Sequence, residues 1–574
     1  MIDRYPTWAQ VFAKKYLGRT MNQFILHGNI HDLVDVHREA DSHNYERLKT
    51  FLANDFFGAR DFVIFYDRAS GIYFRDQDSQ TDFNQAIAGR DTIAGTDYAK
   101  KLPKDPVGVF SVLEQYLRSR LNSQNSVALI IDHAETIVPM NEAGSTGTED
   151  RNSLVYLLKW AHDPLFLAAD FTTVLITENL GDLNKTLVQN PYTSEIKIQF
   201  PDEKARLAFI QSEFSSEEKK EISDVSLPVL AQQTAGLNFV NLRGIISNAR
   251  ENRDRITYKK LSDVKKELIE AEAYGLLEFI ETGYTLDDVA GHAKAKIHLR
   301  EAVQALKNGR QDVIPMGYLI CGPVGTGKTF LVTCFAGEIG IPMVKLKNFR
   351  SQWQGVTEGN LQKILGLLKA MAPVAVMIDE ADAYLGDRAA SGDSGVSSRV
   401  FSQIASFMSD TANRGRIIWF LMTARPDLMP VDLKRQGRAE EHLALFPPDT
   451  KEERTELFNA MKKKTGLIMS EDYIPPSVLS GKNSYSGADM EAALTRAKFR
   501  AATGNLEKVT PAIMDEVFDD FLPPTYPDEV ELQTLNAVLE CTSKALLPEK
   551  YQKTDRSTLL KKIDEIKLRV SNRR

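Results

Sequence analysis

"GYLICGPVGTGKTF" (residues 317–330) is an apolar run that breaks into a glycine-rich loop and resumes as a helix-forming segment. It fits G-x-x-x-x-G-K-[ST] with Gly322, Gly327, Lys328 and Thr329, and a strand before and a helix after are the context that pattern requires. The loop runs through Gly322, Pro323, Val324, Gly325, Thr326, Gly327, Lys328, Thr329 and Phe330, and its glycines let backbone N–H groups curl around a phosphate. Lys328 is placed to reach the β- and γ-phosphates of ATP, and the Thr329 hydroxyl to bind Mg²⁺. The expected fold class is therefore α/β of the P-loop type.

Working outward, "VAVMIDE" (374–380) is a continuous apolar run suited to a fully buried parallel strand. Its two terminal acids fall where ligands bind in such sheets. Asp379 is expected in the Mg²⁺ shell and Glu380 as the base that polarises the attacking water. On its own, an acidic strand end is more often simply solvated; the P-loop in the same module shifts the balance. A third buried strand, "RIIWFLMTA" (416–424), leads into "RPDLMPVDLKRQGR", where Arg435 and Arg438 stand three apart.

Together these segments resemble the AAA family of ATPases, in the branch containing the proteasomal ATPases and FtsH-type proteases. "DDVAGHAKAK" (287–296) resembles that family's entry motif, which implies that Asp288, Val289, Ala290 and Gly291 border the adenine. "YSGADMEAAL" (485–494) resembles its lid-helix motif, implying Gly487 and Ala488 over the base. The resemblance covers about 280–525. It implies a five-stranded parallel sheet with a helical lid, a hexameric ring, and Arg435 and Arg438 acting on a neighbour's γ-phosphate. One position departs: where the family places a polar Asn after the strand's Thr, this chain has Ala424, and Thr423 is the candidate substitute. Trp353, Gln354 and Gly355 resemble the aromatic–X–Gly pore loop of threading members, where a bulky ring grips chain of almost any sequence. "LGDRAASGDSGVSS" (385–398) reads as a second pore-facing loop.

The first half repeats the second at long period. "VALIIDHAE" starts at 127 and "VAVMIDEAD" at 374, 247 apart; "TTVLIT" and "WFLMT" end 246 apart; "GLNFVNLRGI" and "SYSGADMEAA" are 248 apart. The strand matching "GYLICG" is "QFILHG" (23–28), but no G-K-[ST] follows Gly28, and Asp32, Asp35, Glu39 and Asp41 would repel a triphosphate. His133 stands where Glu380 does, and no Arg-x-x-Arg pair follows the third strand. Two tandem modules are expected, the first without its P-loop. The expected boundaries are 1–200 (degenerate α/β domain), 201–260 (its lid), 261–286 (helical linker), 287–446 (ATPase α/β domain), 447–525 (its lid) and 526–574 (C-terminal helical extension). His27, His31, His37 and His43 read as polar loop residues, because a zinc site needs three or four ligands in fixed geometry. Residues 66–105, rich in Gly, Asp and Gln, read as a long loop and as the expected adaptor contact. The last 26 residues carry nine Lys/Arg against four Asp/Glu, with Leu559, Leu560, Ile563, Ile566 and Val570 on one helical stripe.

The whole chain, 574 residues with 71 Lys/Arg against 78 Asp/Glu, is too long for one core and weighs against nucleic acid as a partner. Three cysteines without paired spacing, a polar N-terminus unlike a signal peptide, and no apolar run near the ~20 residues of a membrane helix point to a cytoplasmic protein. H-E-x-x-H does not occur. The expected function is an ATP-hydrolysing ring that threads, unfolds or disassembles a protein substrate; the alternative is a nucleotide-gated oligomeric scaffold or switch without threading.

Overall fold

Two sheets organise the chain in the computed structural model, which describes residues 4–37, 43–94, 98, 102–140, 147–214, 223–252, 255–273, 275–347, 358–385, 396–481, 485–523 and 526–572. They belong to two compact units: residues 1–273 with 355–370, and residues 274–354 with 371–574.

In the first unit the strands are β1 (Gln23–Gly28), β2 (Leu33–Val36), β3 (Asn44–Arg47), β4 (Phe62–Asp67), β5 (Gly71–Phe74), β6 (Val127–Ile131), β7 (Phe171–Thr177) and β8 (Thr193–Ile198). The sheet order is β5-β4-β6-β7-β1-β8, parallel except for β5; β2 and β3 form a separate antiparallel hairpin. Alternate residues feed two apolar layers: Ile25, Ile64 and Leu129 on one face, Phe24, Val63 and Ile130 on the other. Burial on both faces is why these strands read as unbroken apolar runs. Helices Glu203–Glu213, Leu227–Gln233, Phe239–Glu251 and Tyr258–Glu272 follow, most of them packed around Ile210, Leu230, Ile246 and Leu261.

The second unit has β9 (Leu277–Phe279), β10 (Gly317–Cys321), β11 (Met343–Leu346), β12 (Val374–Ile378), β13 (Ile417–Thr423) and β14 (Glu441–Ala444), ordered β14-β10-β13-β12-β11-β9. Its lid helices Lys451–Thr465, Pro476–Ser480, Gly487–Thr503 and Pro511–Asp520 enclose Phe458, Val478, Leu494 and Val517. Helices Pro527–Glu540 and Arg556–Asn572 pack through Leu532, Leu535, Leu559, Ile563 and Ile566. Leu560 turns out of that stripe, 52% exposed.

Three readings are corrected. Among the described residues each of the two large sheets has six strands, five parallel and one antiparallel at the edge, rather than five. The described part of 66–105 is not a long loop: β5 pairs antiparallel with β4, and helix Gln77–Ala94 buries Phe83 and Ile87, one turn apart, against the core. The polar composition masked that two-residue apolar stripe. Within the stretch expected to be a helical linker, Leu277–Phe279 instead pairs antiparallel with β11. Trp353, Gln354 and Gly355, and most of 385–398, lie outside the described residues.

β1 and β10, each one strand in from an edge of its sheet, end alike. Gly28 and Gly322 both have positive φ (97° and 147°), and a Cβ would meet a carbonyl of the adjoining segment, Ile198 O at 2.6 Å and Leu445 O at 2.1 Å. No side chain fits at either position. Beyond Gly28 the chain turns into the β2–β3 hairpin rather than a helix. Buried Asp32 in that turn accepts from Leu33 N–H (2.8 Å), Asn29 Nδ2 (2.8 Å) and Val240 N–H (3.2 Å). It thereby satisfies an otherwise orphaned donor at the start of helix Phe239–Glu251. Burial pushes its carboxyl up to about 6 against the pull of these donors. Asp32→Ala is expected to destabilise the first unit by about 1–3 kcal/mol in urea unfolding. In the same variant the Val240 amide is expected to lose hydrogen-exchange protection.

Candidate functional site

At the carboxyl edge of the second sheet a cavity of about 1490 Å³ opens between the loop after β10, the end of β12 and the lid. Its lining includes Asp288, Val289, Ala290, Gly291, Val324, Gly325, Thr326, Gly327, Lys328, Thr329, Phe330, Asp379, Glu380, Thr423, Gly487 and Ala488. One cavity thus collects residues drawn from five separated stretches of sequence. Gly322 and Pro323 form the base of the loop behind it. Their carbonyls accept from Lys328 Nζ at 2.8 and 2.9 Å, and burial pushes the Lys328 ammonium down to about 8.

The chemistry of the strand end is local. Thr329 Oγ1 donates to Asp379 Oδ2 (3.2 Å), so a hydroxyl and a carboxylate already face each other as hard oxygen donors of the kind Mg²⁺ takes. Lys345 Nζ lies 3.5 Å from the same carboxylate. Glu380 has φ 48°, a left-handed conformation rare for a non-glycine residue, and its N–H donates to Asp379 Oδ1 (3.0 Å). That backbone turns the Glu380 side chain out of the sheet, where it is exposed. His133 repeats this geometry in the first unit: φ 51°, with its N–H donating to Asp132 Oδ1 (3.0 Å). There Asp132 makes an ion pair with Lys49, the first lysine after Gly28.

The lid and entry segment are tied together. Gly291 N–H donates to Glu456 Oε2 (2.8 Å), and Lys463 pairs with Asp288 (2.9 Å). Ser486 caps the helix that begins at Gly487 in a capping box with Asp489.

The arginine pair divides. Arg435 is 60% exposed at its side chain, with Asp432 3.4 Å away. Arg438 is 8% exposed and donates to the Asp432 carbonyl (2.7 Å). Neither lines the cavity. Thr423, 1% exposed, donates to Asp382 Oδ1 (2.7 Å) and accepts from Arg425 N–H (2.8 Å), so its hydroxyl is already committed. Ala424 lines the cavity beside it.

Sequence reasoning passed over several lining residues, two of which bond to the phosphate loop. His292 Nε2 lies 3.1 Å from the Thr326 carbonyl, and burial holds its imidazole below the usual histidine range. Gln533, on helix Pro527–Glu540, accepts from Val324 N–H (3.0 Å) in the phosphate loop. His292 lies inside the quoted entry motif and could have been suspected; nothing local marks Gln533.

Family models match three stretches: an AAA+ chaperone N-terminal Rossmann-like domain (2–199), an AAA+ chaperone second helical domain (204–274), and the ATPase family associated with various cellular activities, AAA (318–446). The chain belongs to the AAA+ ATPases. It is 28% identical over 414 residues to a cell division cycle protein 48 homolog of Archaeoglobus fulgidus, covering 66% of this chain and 55% of the relative. It is 33% identical over 248 residues to the ATP-dependent zinc metalloprotease FtsH 3 of Synechocystis sp., covering 42% and 39%. A third relative, Protein SAV of Sulfolobus acidocaldarius, is 26% identical over 415 residues, covering 66% and 52%. The chain spans about half the length, or less, of these curated relatives. Within this AAA+ chain no described helix is long and apolar enough to cross a membrane.

Thr423→Val leaves the Asp382 carboxylate and the Arg425 amide without their partner. It is expected to lower ATP turnover several-fold and to destabilise the second unit by about 1–2 kcal/mol. Thr423→Ser is expected to restore both, as read by steady-state phosphate release and thermal unfolding.

Proposed function

We propose that the chain is an ATP-hydrolysing remodelling machine acting on protein substrates as a ring, with its chemistry in the second unit. The observation that carries this reading is the strand end itself: Thr329 and Asp379 in contact beside Lys328, with Glu380 turned out next to them. ATP phosphates take the N–H groups of the loop, and Lys328 exchanges the Gly322 and Pro323 carbonyls for phosphate oxygens. Thr329 and Asp379 would hold Mg²⁺, which would supply neutralisation of phosphate charge. Glu380 accepts the proton of the attacking water. Asp288 to Gly291 border the base, and Gly487 and Ala488 close over it. Arg435, exposed and outside its own cavity, serves the site of a neighbouring subunit. Arg438, bonded to the Asp432 carbonyl, braces the segment that presents it.

The first unit is read as a second AAA-like module that has lost its chemistry. Strand order supports this: β8-β1-β7-β6-β4 runs as β14-β10-β13-β12-β11 does. So do the paired glycines and the left-handed His133 and Glu380. Lys49 on Asp132 and Asp32 on helix Phe239–Glu251 fill the places that a cation and an anion would take. Its role is to recruit substrate or partner, with residues 66–105 as the contact surface.

A nucleotide-gated scaffold with slow turnover is the second reading. It is favoured by Ala424 at the cavity wall and by the commitment of the Thr423 hydroxyl to Asp382.

Glu380→Gln is expected to bind ATP but to release phosphate at least ~100-fold more slowly; rapid turnover by this variant would sink the catalytic assignment. Arg435→Ala is expected to lose turnover while leaving the ATP dissociation constant within a few-fold. Trp353→Ala separates the two functional readings. Loss of substrate unfolding with ATPase retained supports threading, and intact unfolding removes it.

A further inference from the structure

The hairpin that follows Gly28 gathers three side chains the nucleotide chemistry does not use. Asp35 lies in β2, and His37, two residues on, directly follows that strand. His43 precedes β3, whose Tyr45 pairs with Asp35 across the hairpin. One donor atom from each of Asp35, His37 and His43 can be chosen so that all lie within 4.8 Å of one another. His43 Nδ1 is 2.8 Å, and His37 Nε2 3.4 Å, from Asp35 Oδ2. A tetrahedral ion with ~2.0–2.1 Å bonds to nitrogen and carboxylate oxygen sets its donors about 3.3–3.4 Å apart. The two separations to Asp35 bracket that spacing and the histidine donors lie within 4.8 Å of each other, so the three groups draw in to close on one centre.

The group is also held from behind. Tyr45 stacks on the His43 ring (6.1 Å between centroids, 8° between planes) and packs edge-on against Phe209 and Phe239 of the lid helices. The two imidazoles lie 4.3 Å apart. Asp35 is 15% exposed at its side chain, His37 33% and His43 28%, so an ion can enter from solvent.

We propose that Asp35, His37 and His43 form a binding site for a borderline divalent cation of the Zn²⁺ class, with water completing the coordination. Two imidazoles and one carboxylate suit such an ion better than Mg²⁺ or Ca²⁺, which prefer all-oxygen sets. The site clips the Val36–Asn44 end of the hairpin, whose other end carries Asp32. It therefore holds in register the segment that occupies the start of helix Phe239–Glu251. This assignment revises the reading of His37 and His43 as loop residues and stands independently of the catalytic reading above.

The test is equilibrium dialysis of the EDTA-stripped full chain against Zn²⁺, nucleotide-free and with excess Mg²⁺ to saturate oxygen-only sites. One Zn²⁺ equivalent per chain is expected, with His37→Ala and His43→Ala each weakening it by more than the roughly 10–100-fold that follows loss of a residue that only orients a ligand. Zn²⁺ is expected to raise the unfolding temperature of the wild type and not of the variants. Co²⁺ is expected to give visible d–d absorption that His43→Ala abolishes. Lys328→Ala is expected to leave all three readouts unchanged. Absence of a bound equivalent, or equal binding by wild type and both histidine variants, would overturn the proposal. Far-UV circular dichroism of the variants separates loss of ligand from loss of fold.

Discussion

The contact of a strand-terminal glycine with a neighbouring carbonyl governs both halves of this chain. A parallel sheet covered on both faces has only its edges for chemistry, and its strands deliver their carboxyl ends to the same one. At Gly28 and Gly322 the chain leaves the sheet through a gap too narrow for any side chain. What the next dozen residues do then decides the character of the whole unit. After Gly322 they curl into a loop whose lysine bonds its own carbonyls, and then enter a helix. After Gly28 they fold into a hairpin whose aspartate reaches the lid.

The same strand ends explain the electrostatics. Asp379 and Asp132 occupy like positions, each with the following residue in left-handed backbone and its N–H turned onto the carboxylate. In the second unit the Asp379 neighbours are a threonine hydroxyl and a lysine 3.5 Å away. In the first unit Lys49 meets Asp132 directly. A strained backbone costs on the order of 1–3 kcal/mol, and it is kept in both places.

Much of this was legible from residues alone, because apolar runs bounded by glycine or acids encode buried parallel strands. β1, β6, β10, β12 and β13 fall on the quoted runs, and the cavity brings together motifs separated by up to 200 residues of chain. What escaped notice depends on distance in space rather than on pattern. Helix Gln77–Ala94 hides because two buried residues, Phe83 and Ile87, suffice to anchor a polar segment. β9 is three residues long, below any periodicity. The division between Arg435 and Arg438 follows from which one can reach the Asp432 carbonyl. His37 and His43 are six apart, a spacing that means nothing until a hairpin folds it.

Asp32 and Lys49 are ligands that share a chain with their receptors. A tethered ligand has an effective concentration set by geometry, and it does not follow the cell's supply of nucleotide or ion. A free ligand shifts a conformational equilibrium only by its differential affinity and its abundance. The first unit's strand end and lid start are thus poised at a constant occupancy.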